Sequence, residues 1–137
     1  MLYAAGNGAV RSGQLGALAW YSNNYATGSN PYGVVFDGTS VWTANNSGNS
    51  VSKFNPSTGS LIGTYVLPAG SLPWAIAFDG NSIWTANYSG NSVSKITAAT
   101  GAIVGTYSLP AGSVPYGIVF DDTNIWTANA VASTVSK

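Results

Sequence analysis

Few side chains in this chain could do chemistry. It has four aspartates (Asp37, Asp79, Asp121 and Asp122), three lysines and Arg11, but no glutamate, histidine or cysteine. A Ser-His-Asp or Cys-His arrangement therefore cannot be built. Neither can a disulfide framework or a thiolate metal site. General acid and base catalysis would have to come from aspartates alone, and the only close pair is Asp121-Asp122. Read as adjacent strand residues, these two point to opposite faces and do not converge. Calcium or magnesium needs several oxygen ligands meeting at one point. Asp37, Asp79 and Asp121 are instead spaced 42 residues apart. Each stands at a turn, where an aspartate accepts hydrogen bonds from the backbone. No cofactor and no catalytic residue is expected.

Binding has better candidates. Tyr32, Trp74 and Tyr116 recur at one position, each directly after a proline, and Asn46, Tyr88 and Ala130 recur at another. Residues 46–50, 88–92 and 130–134 read NSGNS, YSGNS and AVAST, the part of the repeat that diverges most. Aromatic rings beside Asn and Ser can stack on and hydrogen-bond a sugar or a peptide. Tyr32, Trp74, Tyr116, Asn46 and Tyr88 are thus the candidate ligand-binding residues. By contrast, Trp42, Trp84 and Trp126, with Phe36, Phe78 and Phe120, repeat inside apolar strands and are expected to pack between neighbouring units, each burial stabilising by roughly 2–3 kcal/mol. Lys53, Lys95 and Lys137 are expected to be solvated or locally paired. Asn45-Asn46-Ser47 and Asn87-Tyr88-Ser89 fit a glycosylation sequon.

The elements that must position these residues come from a repeat. Residues 31–72 return as 73–114, with 26 of 42 positions identical, and a shortened copy fills 115–137. Within the first copy, strands are expected at Tyr32–Phe36, Val41–Asn45, Ser50–Asn55 and Leu61–Leu67. Asp37-Gly38, Ser47-Gly48-Asn49 and Pro56-Ser57-Thr58-Gly59 supply the turns. No stretch carries a helical period. Four short antiparallel strands every 42 residues predict an all-β fold, a β-propeller built from four-stranded blades. Residues 1–15 read as an N-terminal arm, and 16–30 as the closing strand and loop of a preceding unit. Such a propeller places the loop before the first strand and the loop between the second and third on one face. Tyr32, Trp74 and Tyr116 then stand near the mouth of a central channel, with Asn46 and Tyr88 further out.

The motifs are specific. Ile83-Trp84-Thr85-Ala86-Asn87, Ser89-Gly90-Asn91-Ser92-Val93-Ser94-Lys95-Ile96 and Thr100-Gly101 resemble the repeat of YVTN-type bacterial surface propellers. Pro115-Tyr116-Gly117-Ile118 and Tyr107-Ser108-Leu109-Pro110 resemble the blades of virginiamycin B lyase-like proteins. The likeness covers residues 16–137. It implies a propeller fold and, for the lyases, a histidine base with a glutamate-assisted magnesium ion, residue types this chain lacks. Propellers host unrelated functions, so the fold alone assigns no activity.

About three blades cannot close a ring, since closed propellers have about 4–8. Two arrangements follow: a homodimer forming a six-bladed ring with strands shared at the seams, or blades supplied by a longer parent chain. Head-to-tail contacts that do not close would instead build filaments or surface layers. Charged residues make up only 6% of the chain and the formal net charge is zero. Four scattered cations offer no basic surface for nucleic acid or for electrostatic membrane attachment, and no segment is apolar enough for a membrane span. A Ser/Thr/Asn-rich, cysteine-free β sequence fits an extracellular or cell-surface protein, although 1–15 does not read as a signal peptide. The composite expectation is a non-catalytic binding or scaffold propeller. The alternatives are a lyase-like fragment whose catalytic residues lie elsewhere and a structural repeat.

Overall fold

A computed structural model describes residues 23–137, which form eleven strands and no helix. The first repeat supplies β1 (Pro31–Phe36), β2 (Val41–Asn45), β3 (Ser50–Phe54) and β4 (Leu61–Val66). The second supplies β5 (Pro73–Phe78), β6 (Ser82–Asn87), β7 (Ser92–Thr97) and β8 (Ile103–Ser108). The third supplies β9 (Pro115–Phe120), β10 (Ile125–Asn129) and β11 (Thr134–Ser136). Each repeat is one antiparallel meander with strands in chain order, four-stranded in the first two repeats and three-stranded in the third. The N-terminal arm and much of the closing strand expected at 16–30 lie outside the described residues. Residues 23–30 carry no strand.

Turn chemistry explains the hairpins. Gly38 and Gly80 adopt φ of 93° and 96° after their aspartates, a region open to glycine because it lacks a Cβ. In the third repeat Asp122 occupies that place at φ 71°. Asp121 and Asp122 therefore belong to a turn, not to the strand assumed from sequence. Asn49 and Asn91 turn the second hairpins at φ 50° and 49°, as Asn tolerates the left-handed region.

The sheets stack face to face. β5 lies against both β1 and β9, so the first strand of every blade runs along the inner edge of the arc. The core fills the gap between the first two blades: Trp42, Ala44 and Val51 meet Ile76, Ile83 and Ile96, joined by Leu67 and Ala98. One repeat position shows what each blade needs. Val51 is 0% exposed and Val93 is 8%, but Val135 is 66% exposed because no described blade follows the third. The same reasoning corrects the expectation for Phe36. Phe78 packs on the core, whereas Phe36 is exposed on the leading face of the first blade.

Candidate functional site

Four of the five candidate residues come together. The Tyr32 and Trp74 rings stack at 4.2 Å with an interplanar angle of 12°. Trp74 meets the edge of Tyr116 at 4.9 Å and tilts toward Tyr88 at 5.6 Å. Tyr88 and Tyr116 are 5.1 Å apart. The backbone explains the assembly. β1, β5 and β9 are neighbours along the inner edge, so the residue after each starting proline meets its counterpart in the next blade. The Tyr88 amide donates to the Leu72 carbonyl at 3.2 Å, which ties the β6–β7 turn to the start of β5. Tyr88 thus joins the row and does not stand outside it. Among the described residues Tyr32 ends the row, 53% exposed. Loss of surrounding water, and then the neighbouring Tyr88 hydroxyl, raise the Tyr116 phenol above its ordinary value of 10.0.

Asn46 is placed differently. Its Nδ2 donates to the carbonyls of Leu72 and Pro73 at 3.1 and 3.2 Å, so its amide anchors the start of β5. It positions Trp74 and does not extend the ring row.

The aspartates form a brace that sequence reasoning captured only in part. Asp37 Oδ1 accepts the backbone N–H groups of Thr39 and Ser40 at 2.8 and 2.6 Å, as expected of a turn aspartate. Its Oδ2 accepts the Trp42 indole Nε1–H at 2.7 Å. Asp79 with Trp84 and Asp121 with Trp126 repeat this at 2.7 and 2.5 Å. Burial pushes the Asp37 and Asp79 carboxyls up, but these donated hydrogen bonds outweigh it and hold both below 3.8. Asp121, held chiefly by the Asn124 amide and then the Trp126 indole, is also lowered. Each tryptophan carries a lysine over its ring: Lys53 over Trp42 and Lys95 over Trp84 at 5.1 Å, Lys137 over Trp126 at 5.7 Å. Lys53 is not solvated: it is buried, and its Nζ donates to the Ala98 carbonyl of the next blade at 2.8 Å. The recurring spacing of five between aspartate and tryptophan was the available signal.

A second repeated feature is a buried amide. Asn87 Oδ1 accepts from Thr85 Oγ1 at 2.8 Å, and its Nδ2 donates to Ser92 and Ser94 Oγ at 3.0 and 2.9 Å. Asn45 and Asn129 make the same set with their own hydroxyls. Both sequon asparagines, Asn45 and Asn87, are therefore fully buried and hydrogen-bonded, leaving no amide to glycosylate in the folded chain. Among the described residues no group of three acidic side chains could hold a metal ion. A cleft of about 500 Å³ opens between the second and third blades, lined among others by Asp79, Trp84, Lys95, Tyr107, Phe120 and Lys137.

Stacked antiparallel meanders, with first strands inside and Trp42 and Trp84 between sheets, define an arc of a β-propeller. Its likeness among solved structures agrees with the motif resemblance. A catalytically inactive virginiamycin B lyase from Staphylococcus aureus, solved with quinupristin, matches at TM-score 0.69 and 26% identity over 78% of this chain and 37% of that one. A streptogramin B lyase structure matches at TM-score 0.65 and 27% identity over 79% of this chain and 40% of the other. The glutaminyl cyclase of Myxococcus xanthus matches at TM-score 0.57 and 14% identity over 78% and 53%, a likeness of fold alone. No protein-family description matches the chain, and no curated protein does. The chain is a virginiamycin B lyase-like propeller in fold, and it spans about two fifths of the lyases' length, 37% and 40%.

Proposed function

We propose that the chain is a non-catalytic propeller segment that binds a neutral glycan through the row Tyr32, Trp74, Tyr88 and Tyr116. The observation that carries this reading is the convergence of four aromatic rings from three strand starts and one turn. An exposed ring face suits the apolar face of a sugar, and the tyrosine hydroxyls suit its hydroxyls. The near absence of charge favours an uncharged ligand over an ionic one. A peptide with exposed aromatic or proline residues is the competing ligand. The composition supports an extracellular or surface setting.

Titration of a panel of neutral oligosaccharides and proline-rich peptides against tryptophan fluorescence tests this. A glycan should change the emission, and Tyr32→Ala should weaken binding about tenfold or more, which is about 1.4 kcal/mol. Its thermal midpoint should stay near that of the parent. Failure of every glycan, or binding indifferent to Tyr32→Ala, refutes the assignment; peptide binding alone replaces it with the competing ligand.

The likeness to the two lyases at 26% and 27% identity favours one second reading. In it, these blades belong to a lyase-like enzyme whose histidine and glutamate lie in other blades. A parent reading frame that continues the repeats with both residue types on same-face loops would favour it.

A further inference from the structure

Tyr88 and Tyr116 meet directly, with ring centroids 5.1 Å apart and an interplanar angle of 49°. Their hydroxyl ends are neighbours, since the Tyr88 hydroxyl acts on the Tyr116 phenol. The ring carbons ortho to each hydroxyl therefore lie at the approaching ends of the two rings. The other described tyrosines are placed differently. Tyr65 and Tyr107 lie against tryptophans, Trp42 at 5.6 Å and Trp84 at 6.1 Å. Tyr32 stacks on Trp74, and Tyr25 lies over Gly59.

Both members of the pair stand on a pinned backbone. The Tyr88 amide donates to the Leu72 carbonyl at 3.2 Å. The loop before β9 is held by Asn91, whose Nδ2 donates to the Leu109 and Pro110 carbonyls at 3.1 and 3.0 Å. Its Oδ1 accepts the Val114 amide at 2.8 Å, two residues before Tyr116. Pro115 pairs with Asn129 as β9 begins. The seam between the first and second blades has no such pair, because the equivalent positions hold Asn46 and Trp74.

The surroundings direct an oxidising equivalent to these two rings. The chain has no cysteine, and its single methionine is Met1. The sulfur side chains that usually take up oxidants are therefore absent from the described residues. Tyrosine and tryptophan are the next most readily oxidised. Trp74 lies 5.6 Å from Tyr88 and 4.9 Å from Tyr116, so an electron hole formed on it passes to a phenol in contact. Both tyrosines are half-buried, which leaves part of each open to solvent.

We propose that Tyr88 and Tyr116 form a dityrosine cross-link between the second and third blades when hydrogen peroxide acts on the protein through a haem peroxidase. Each phenol gives up one electron and one proton. The two phenoxyl radicals join through carbons ortho to their oxygens, and each of those carbons then passes its hydrogen to the ring oxygen as a proton. The pair thus loses two electrons and two protons, which reduce one hydrogen peroxide to two waters. The new carbon–carbon bond ties the β6–β7 turn to the start of β9. It closes a loop through β7 and β8, which restricts the unfolded chain and stabilises the fold. No ligand in the aromatic row is needed.

Treating the dilute full chain with hydrogen peroxide and a haem peroxidase tests this. Dityrosine fluorescence should rise while the protein keeps the mobility of a single chain on a denaturing gel, and its mass should fall by two hydrogen atoms. Trypsin cuts after Lys53 and Lys95, so Tyr88 and Tyr116 leave on separate peptides, 54–95 and 96–137, which should emerge joined. Tyr88→Phe and Tyr116→Phe keep the rings but remove the phenols, and each should abolish the joined peptides. Tyr65→Phe and Tyr107→Phe, on the same two peptides but outside the pair, should leave them. The cross-linked chain should unfold at a higher temperature than the untreated one. Joined peptides that survive Tyr88→Phe, cross-links found only between chains, or no dityrosine in the parent protein each overturn the proposal.

Discussion

Removing the Asn87 side chain probes whether buried polar pairing, as much as apolar burial, holds each blade together. The amide is fully buried and makes three hydrogen bonds, to Thr85, Ser92 and Ser94. In Asn87→Ala the Ser94 hydroxyl keeps Thr106, 2.8 Å away. The hydroxyls of Thr85 and Ser92 lose their amide partner in a site that excludes water. An unsatisfied buried hydroxyl costs about 1–3 kcal/mol, so two at the low end with the lost third bond give about 3 kcal/mol. Urea unfolding followed by tryptophan fluorescence should register this as a lower midpoint at unchanged slope. The informative comparison is Thr85→Val, alone and combined with Asn87→Ala. Alone it strips Asn87 Oδ1 of its donor and should cost about 1–2 kcal/mol; in the Asn87→Ala background, where its hydroxyl is already stranded, it should be neutral or stabilising. Equal costs in both backgrounds, or a loss below about 1 kcal/mol for Asn87→Ala, would refute the pairing.

Other consequences are as definite. Gly101→Ala must displace the Tyr65 ring at a positive φ, whereas Gly38→Ala meets open space and carries backbone strain alone; unfolding midpoints should place Gly38→Ala at about 1 kcal/mol of loss and Gly101→Ala at about 3. Asp37 and Asp79 are held below 3.8 when folded, so their stabilisation is whole above about pH 4 and drains as pH falls through the folded values. Thermal midpoints across pH 2 to 6 should decline from about pH 4 downward, and Asp79→Asn should shrink that decline while lowering stability at neutral pH. Lys53→Ala, which leaves the buried Ala98 carbonyl without its donor, should cost about 2 kcal/mol by the same urea measurement.

Much of this arrangement is legible in sequence because the repeat imposes it. Turn residues with fixed backbone preferences, such as Asp37-Gly38 and Asn49, put the strands within about one residue of their expected limits; the third runs Ser50–Phe54 where Ser50–Asn55 is expected. Tyr32, Trp74 and Tyr116 are expected at one end of neighbouring strands, and there they meet. Side-chain partners across blades were harder to foresee. Lys53 reads as a surface residue by type, yet β3 is a central, buried strand, and the ammonium, set over the Trp42 ring, donates to a carbonyl of the next blade, 45 positions away in sequence. The expected outlying position of Tyr88 fails for a related reason: the amide bond to Leu72 draws the whole turn inward. The Asn-Ser-Ser networks did leave a trace, in serines recurring five and seven residues after each of Asn45 and Asn87. In a soluble strand, polar residues repeating on the inward face imply mutual hydrogen bonding.

The account turns on blades that seal Trp42 between the first and the second. Hydrogen exchange of indole N–H groups by NMR reads this directly. The Trp42 Nε1–H, donated to Asp37 at 2.7 Å from a ring with no exposed surface, should exchange only with global unfolding, and Asp37→Ala should both shift its resonance and speed its exchange. A Trp42 indole that exchanges as fast as a free indole in water would contradict the stacked-blade architecture.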